Sequence, residues 1–157
     1  MKKLIFTLAL VVSMGGALRA QVEGSTLGLR FGYGGEISFQ SALGHANRLE
    51  LDLGLNRWGS NYYYNNYYYS SGIALTAVYQ WVWNLNALAP GFDWYAGLGG
   101  TLGSFGSTLG LGLVGQIGLE YNFTIPLQLS LDYRPAVFFI YPHDSYGDTA
   151  LSLRYRF

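Results

Sequence analysis

The sequence predicts an all-β protein: an eight-stranded antiparallel up-and-down transmembrane β-barrel over residues 21–157, behind a signal peptide at 1–20. Three observations lead there. Apolar and polar residues alternate with period two along most of the chain, the pattern of strands with two unlike faces. Charged residues are 11% of the 157, against about 25% in an average soluble domain, while aromatic residues reach 17%. The third observation is a shortage of lysine. With 1–20 removed, six arginines stand against nine acids, a formal charge of −3, and no lysine remains to cover a water-facing exterior.

In the first segment Lys2 and Lys3 form a positive start, and Leu4 to Val12 an apolar run. Gly15, Gly16, Ala17 and Ala20 then lead to cleavage expected after Ala20. The apolar run falls well short of the ~20 residues that a spanning helix needs. The absence of cysteine excludes a disulfide scaffold, a thiolate metal site, a cysteine nucleophile and a lipid anchor on an N-terminal Cys. The charge balance excludes a basic nucleic-acid binder, so no nucleic-acid partner is expected.

Strands are expected at 25–31, 34–41, 47–57, 72–83, 92–103, 108–122, 127–135 and 148–157. The first two flank Gly32-Tyr33-Gly34-Gly35; one long strand over 26–40 is the alternative, and the even strand number of single-chain bacterial barrels favours the hairpin. The third has the clearest alternation, with Leu49, Leu51, Leu53 and Leu55 on one face and Arg48, Glu50, Asp52, Gly54 and Asn56 on the other. The fourth and fifth carry Trp81, Trp83 and Trp94 near their ends. The sixth alternates through Ile117-Gly118-Leu119-Glu120-Tyr121, and the seventh through Leu127-Gln128-Leu129-Ser130-Leu131-Asp132-Tyr133-Arg134. The seventh is ended at Pro135 and followed by a loop at 136–147. The eighth closes on Leu151-Ser152-Leu153-Arg154-Tyr155-Arg156-Phe157. The connections at 32–33, 59–71, 104–107 and 136–147 then fall on one side, read as extracellular, and the turns at 42–46, 85–91 and 123–126 on the periplasmic side.

The same alternation suits a soluble lipocalin-like barrel with its apolar face inward. Composition favours the membrane barrel. Its polar faces are rich in Gly, Ser, Gln and Asn rather than Lys, and aromatics such as Trp58, Trp81, Trp94, Tyr121, Tyr133 and Tyr155 suit the two membrane interfaces.

The terminal run Leu151, Leu153, Tyr155, Phe157 resembles the C-terminal assembly signal of outer-membrane barrels, which alternates hydrophobic residues and ends in an aromatic. With the signal peptide and the strand count, the chain resembles the small OmpA/OmpX-like barrels of Gram-negative outer membranes. The resemblance implies outer-membrane lipid as surroundings and the barrel-assembly machinery as a partner during biogenesis. Members of this group differ in role, so it implies no activity.

The phase of the alternation turns Arg30, Glu36, Arg48, Glu50, Asp52, Asp93, Glu120, Asp132, Arg134, Arg154 and Arg156 inward. An eight-stranded barrel is just wide enough for side chains to fill, so these charges are expected to pair as a structural plug. A narrow polar pore and a proton-linked site are the sharper alternatives. Gly97, Gly99, Gly110, Gly112 and Gly118 share this phase and leave space on their wall for opposing Arg chains or for water.

Outside the barrel wall, Tyr62, Tyr63, Tyr64, Tyr67, Tyr68 and Tyr69 form an uncharged tract in an expected extracellular loop. Such a tract pads an interface girdle or, like a paratope rich in Tyr and Asn, binds an extracellular glycan or protein. His143-Asp144-Ser145 contains the ingredients of acyl transfer, and some barrels that deacylate lipid A carry a His-x-Ser pair. It is placed in a loop without an oxyanion element, so no catalytic residue, metal site or cofactor is expected. The expectation is a non-enzymatic structural or surface-interaction protein, with a small channel and a lipid-modifying enzyme as the alternatives.

Overall fold

A computed structural model describes residues 24–56, 72–105, 108–140 and 145–157. The expected signal peptide, Arg57, Trp58, the tyrosine tract, His143 and Asp144 lie outside the described residues.

Eight strands run in order: β1 (Ser25–Phe31), β2 (Gly35–Ala42), β3 (Asn47–Asn56), β4 (Gly72–Asn84), β5 (Phe92–Phe105), β6 (Thr108–Asn122), β7 (Leu127–Ile140) and β8 (Ser145–Arg156). Each pairs antiparallel with the next, and β1 pairs with β8 from Thr26↔Arg156 to Phe31↔Leu151, closing the barrel. Closure removes the unpaired edges that an open sheet exposes. Among the described residues there is no helix.

The stretch 26–40 is a hairpin, not one strand. Phe31 pairs with Gly35, and the Gly32 N–H donates to the Gly34 carbonyl at 3.1 Å. The turn 85–91 is held by side chains: Asn84 accepts from the Asn86 N–H and Asn86 from the Gly91 N–H, both at 2.7 Å. Gly91 follows Pro90 with φ +86°, a conformation glycine adopts without a Cβ penalty.

β7 departs from the expectation. It continues past Pro135 to Ile140, and β8 begins at Ser145, so residues 136–140 and 145–147 of the expected loop are strand. Alternation explains the extension, since Ala136 and Phe138 are buried while Val137 and Phe139 are exposed. Proline lacks the N–H that a ladder uses. The ladder from β6 to β7 skips that position, running Val114↔Ala136 and then Ile117↔Tyr133, while on the other side Pro135 pairs with Gly147. The proline therefore removes pairing on one side without ending the strand.

Polarity is inverted relative to a soluble barrel. Among the described residues eight hydrophobic side chains are buried and twenty-nine large hydrophobic ones are exposed, including Leu29, Leu53, Leu98, Leu113, Leu131 and Leu153. The buried set is mainly polar and charged, with Arg30, Arg154, Glu50 and Asp52 each at 1% exposure or less. Aromatic residues gather outside β4–β6 at the end bearing the turns 43–46, 85–91 and 123–126. There Trp83 stacks on Trp94 at 4.3 Å, and Tyr121 meets Phe92 and Phe123 at 4.8 and 4.7 Å.

Candidate functional site: the charged interior and the turn-end cavity

The interior is built by residues of one parity on each strand, because successive side chains point to opposite faces. Arg30 on β1 holds three acids. Its Nη2 donates to Asp132 at 2.7 Å, and its Nη1 to Asp148 at 2.7 Å and Glu36 at 2.9 Å. Arg134 on β7 reaches Glu36 at 3.2 Å, Glu50 at 2.8 Å and Asp52. Arg154 on β8 donates to Glu50 at 3.0 Å, Ser38 at 3.0 Å and Ser130 at 2.7 Å. These three arginines and five acids form one connected network.

Glu50 is its hub. One oxygen accepts from Arg134 and Gln116, the other from Arg154 and Gln40. A carboxylate has about four acceptor sites, so Glu50 is saturated. Nearer the turns, Arg48 grips Glu120 with two bonds of 2.9 and 2.6 Å, the fork geometry that arginine offers a carboxylate. A relay joins this pair to the hub: Arg48 donates to Gln80, Gln80 to Gln116 at 2.8 Å, and Gln116 to Glu50 at 2.9 Å.

The wall formed by β4–β6 is filled differently. Tyr95 is fully buried, its ring 4.8 Å from the Arg48 guanidinium and its hydroxyl 3.5 Å from Asp132. A Cβ at Gly118 would overlap that ring, and one at Gly112 would crowd the Phe138 ring at 3.1 Å. At Gly97 it would meet Val78 and Gln80. Gly118, Gly112 and Gly97 thus make room for Tyr95, Phe138 and Val78, where the sequence suggested space for opposing Arg chains or for water. Val78, Val114, Ala136 and Phe138 form a buried apolar cluster.

Of the eleven charged residues placed inward from the sequence, nine lie in the network or the Arg48–Glu120 pair. Asp93 and Arg156 form no ion pair with either among the described residues. Asp93 accepts from Asn122 at 2.9 Å. Arg156 reaches Asn122 at 3.5 Å and donates to the Phe123 and Ile125 carbonyls at 2.6 and 3.1 Å. Both sit at the barrel mouth, where a strand's last inward position meets a turn instead of an opposing wall. They line a cavity of about 260 Å³ shared with Arg48, Glu120, Gln128 and Asn86.

Asp148 joins the inward set without being expected there, although it shares the parity of Ser152 and Arg154, because the expected strand starts at 148 whereas β8 begins at Ser145. Tyr95 and the glutamine relay were missed because neutral residues carry no charge pattern. The residues of the expected assembly signal, Leu151, Leu153, Tyr155 and Phe157, all face outward, and Phe157 bonds with Ser25 through both backbone groups at 3.0 and 3.2 Å. Ser145 opens β8. No group of three His, Cys, Asp or Glu that could hold a metal occurs among the described residues. No protein-family model matches the chain, and no curated protein matches it.

Proposed function

We infer that this chain is an integral outer-membrane barrel of a Gram-negative bacterium, exported by its N-terminal segment, with a non-enzymatic structural or surface-interaction role. The inverted polarity carries this reading. An exterior of Leu, Ile, Val and aromatic residues is costly in water at about 25 cal/mol per Å² of apolar surface, and it matches a lipid environment. The aromatic cluster beside the short turns suits a membrane interface. The alternating strand ending in Phe157 supports delivery by the barrel-assembly machinery, and outer-membrane lipid is the expected surrounding. The tyrosine tract supplies a candidate surface for an extracellular glycan or protein.

The closely bonded interior supports a plug in preference to a channel, since charges that line a wet pore need no mutual saturation. Membrane fractionation and planar-bilayer recording test the two halves of the reading. Heat-modifiable protein in the outer-membrane fraction, without ion conductance, is expected. Recovery as soluble periplasmic protein contradicts the location, and steady conductance moves the protein to the channel class.

A further inference from the structure

We propose that the turn-end cavity binds a small zwitterion of amino-acid size, a molecule with an ammonium and a carboxylate on the same carbon. The inference rests on which charges are left over. Arg48 and Glu120, at the cavity wall, are already joined by two hydrogen bonds. The other two charged residues lining the same cavity are Asp93 and Arg156, and neither forms an ion pair among the described residues. One unpaired anion and one unpaired cation on a common wall match a ligand that carries both charges. A simple anion or cation satisfies one of them and leaves the other.

Spacing points the same way. The Asn122 amide bridges the two residues, donating to Asp93 Oδ2 at 2.9 Å and accepting from Arg156 Nη1 at 3.5 Å, so the two charges stand about one amide group apart. A ligand beside Asn122 that carries both charges over a similar span reaches Asp93 Oδ1 and Arg156 Nε. Of the six buried side-chain polar atoms without a hydrogen-bond partner among the described residues, three, Asp93 Oδ1, Gln128 Oε1 and Arg156 Nε, belong to residues that line this cavity. Gln128 is 3% exposed, and its amide nitrogen is already committed to Glu120 and Asn122, which leaves its oxygen as an acceptor. Two unmet acceptors, one on a carboxylate, suit an ammonium, and the unmet guanidinium N–H suits a carboxylate. The volume of about 260 Å³ accommodates such a molecule, and the cavity opens at the turn end. The proposal concerns the barrel itself and does not depend on where the barrel resides.

The test is a titration of the full-length folded protein in lipid nanodiscs, followed by the NMR signals of Asn122, Gln128 and Arg156. Glycine is the probe, with acetate and methylammonium as its two singly charged halves at matched ionic strength. Glycine is expected to give saturable shifts at these residues and to bind at least tenfold more tightly than either half. Asp93→Asn, which keeps an acceptor for Asn122 but removes the charge, is expected to weaken glycine at least tenfold with the remaining spectrum unchanged. Arg156→Gln serves as the second variant should Asp93→Asn fail to fold, with the same expectation. The proposal fails if glycine gives no saturable shift, if acetate or methylammonium binds as well as glycine, or if the charge-removing variant binds like wild type.

Discussion

Strands β1–β3, β7 and β8 send Arg30, Glu36, Arg48, Glu50, Asp52, Asp132, Arg134, Asp148, Arg154 and Arg156 into the barrel. Strands β4–β6 send in Asp93 and Glu120 with the neutral Thr76, Gln80, Thr101 and Gln116, and fill the remaining space with Tyr95, Val78, Val114 and closely approached glycines. The two walls solve one problem by different means. On the charged wall Arg30 and Arg134 each answer three carboxylates, and Glu36 and Glu50 are each shared by two arginines, so removal of a shared acid leaves two buried arginines short of a partner. On the glycine wall the ring of Tyr95 and the missing side chain of Gly118 are complementary in shape, so the cost of change is steric and local. The difference teaches that a narrow barrel is closed by bonding where its inward residues are long and by fit where they are small.

The largest effect is expected at the hub. Glu50→Ala leaves Arg134 and Arg154 short of a carboxylate, and breaking a buried pair typically costs about 3–5 kcal/mol. Urea unfolding in lipid measures it, with Glu50→Gln intermediate because its amide nitrogen cannot accept. A loss near zero would mean that water screens the interior, and the contrast between the walls would fall with it.

A smaller and more local effect is expected on the other wall. Gly118→Ala drives a methyl into the Tyr95 ring, and overpacking costs about 1–3 kcal/mol. In a Tyr95→Leu background the same substitution is expected to cost almost nothing, since the two positions share one space. Equal costs in both backgrounds would show that Gly118 is needed for another reason.

Much of this contrast was legible in the sequence. The leucine face of β3 and the alternating terminal run announce strands with two unlike faces, and parity alone turns Arg30, Arg134 and Arg154 inward. The limit of β7 was not legible, because Pro135 ends a strand in most settings and is tolerated here only where the ladder from β6 is interrupted. Parity also tells direction but not height along the barrel. It therefore grouped Arg156 and Asp93 with the network, when both sit at the mouth among turn residues. The glycine wall was readable as empty space, but what fills that space lies on neighbouring strands and depends on register.

The smallest effect follows from that height. Arg156→Gln is expected to cost less than about 1 kcal/mol, because partly exposed charges are screened and only its bonds to turn carbonyls are lost. Its cost should shrink further in high salt, whereas that of Glu50→Ala should hardly change. Identical salt dependence at both positions would erase the distinction between mouth and interior.

The central claim is that the apolar exterior faces lipid while the charges are sealed within. Tryptophan fluorescence in brominated lipid tests it most directly, because Trp81, Trp83 and Trp94 lie on the outward phase of β4 and β5. After reconstitution, strong quenching relative to unbrominated lipid is expected, greatest when the bromines lie near the headgroup, where interface aromatics sit. Equal fluorescence in brominated and unbrominated lipid, with the protein folded, would contradict the account.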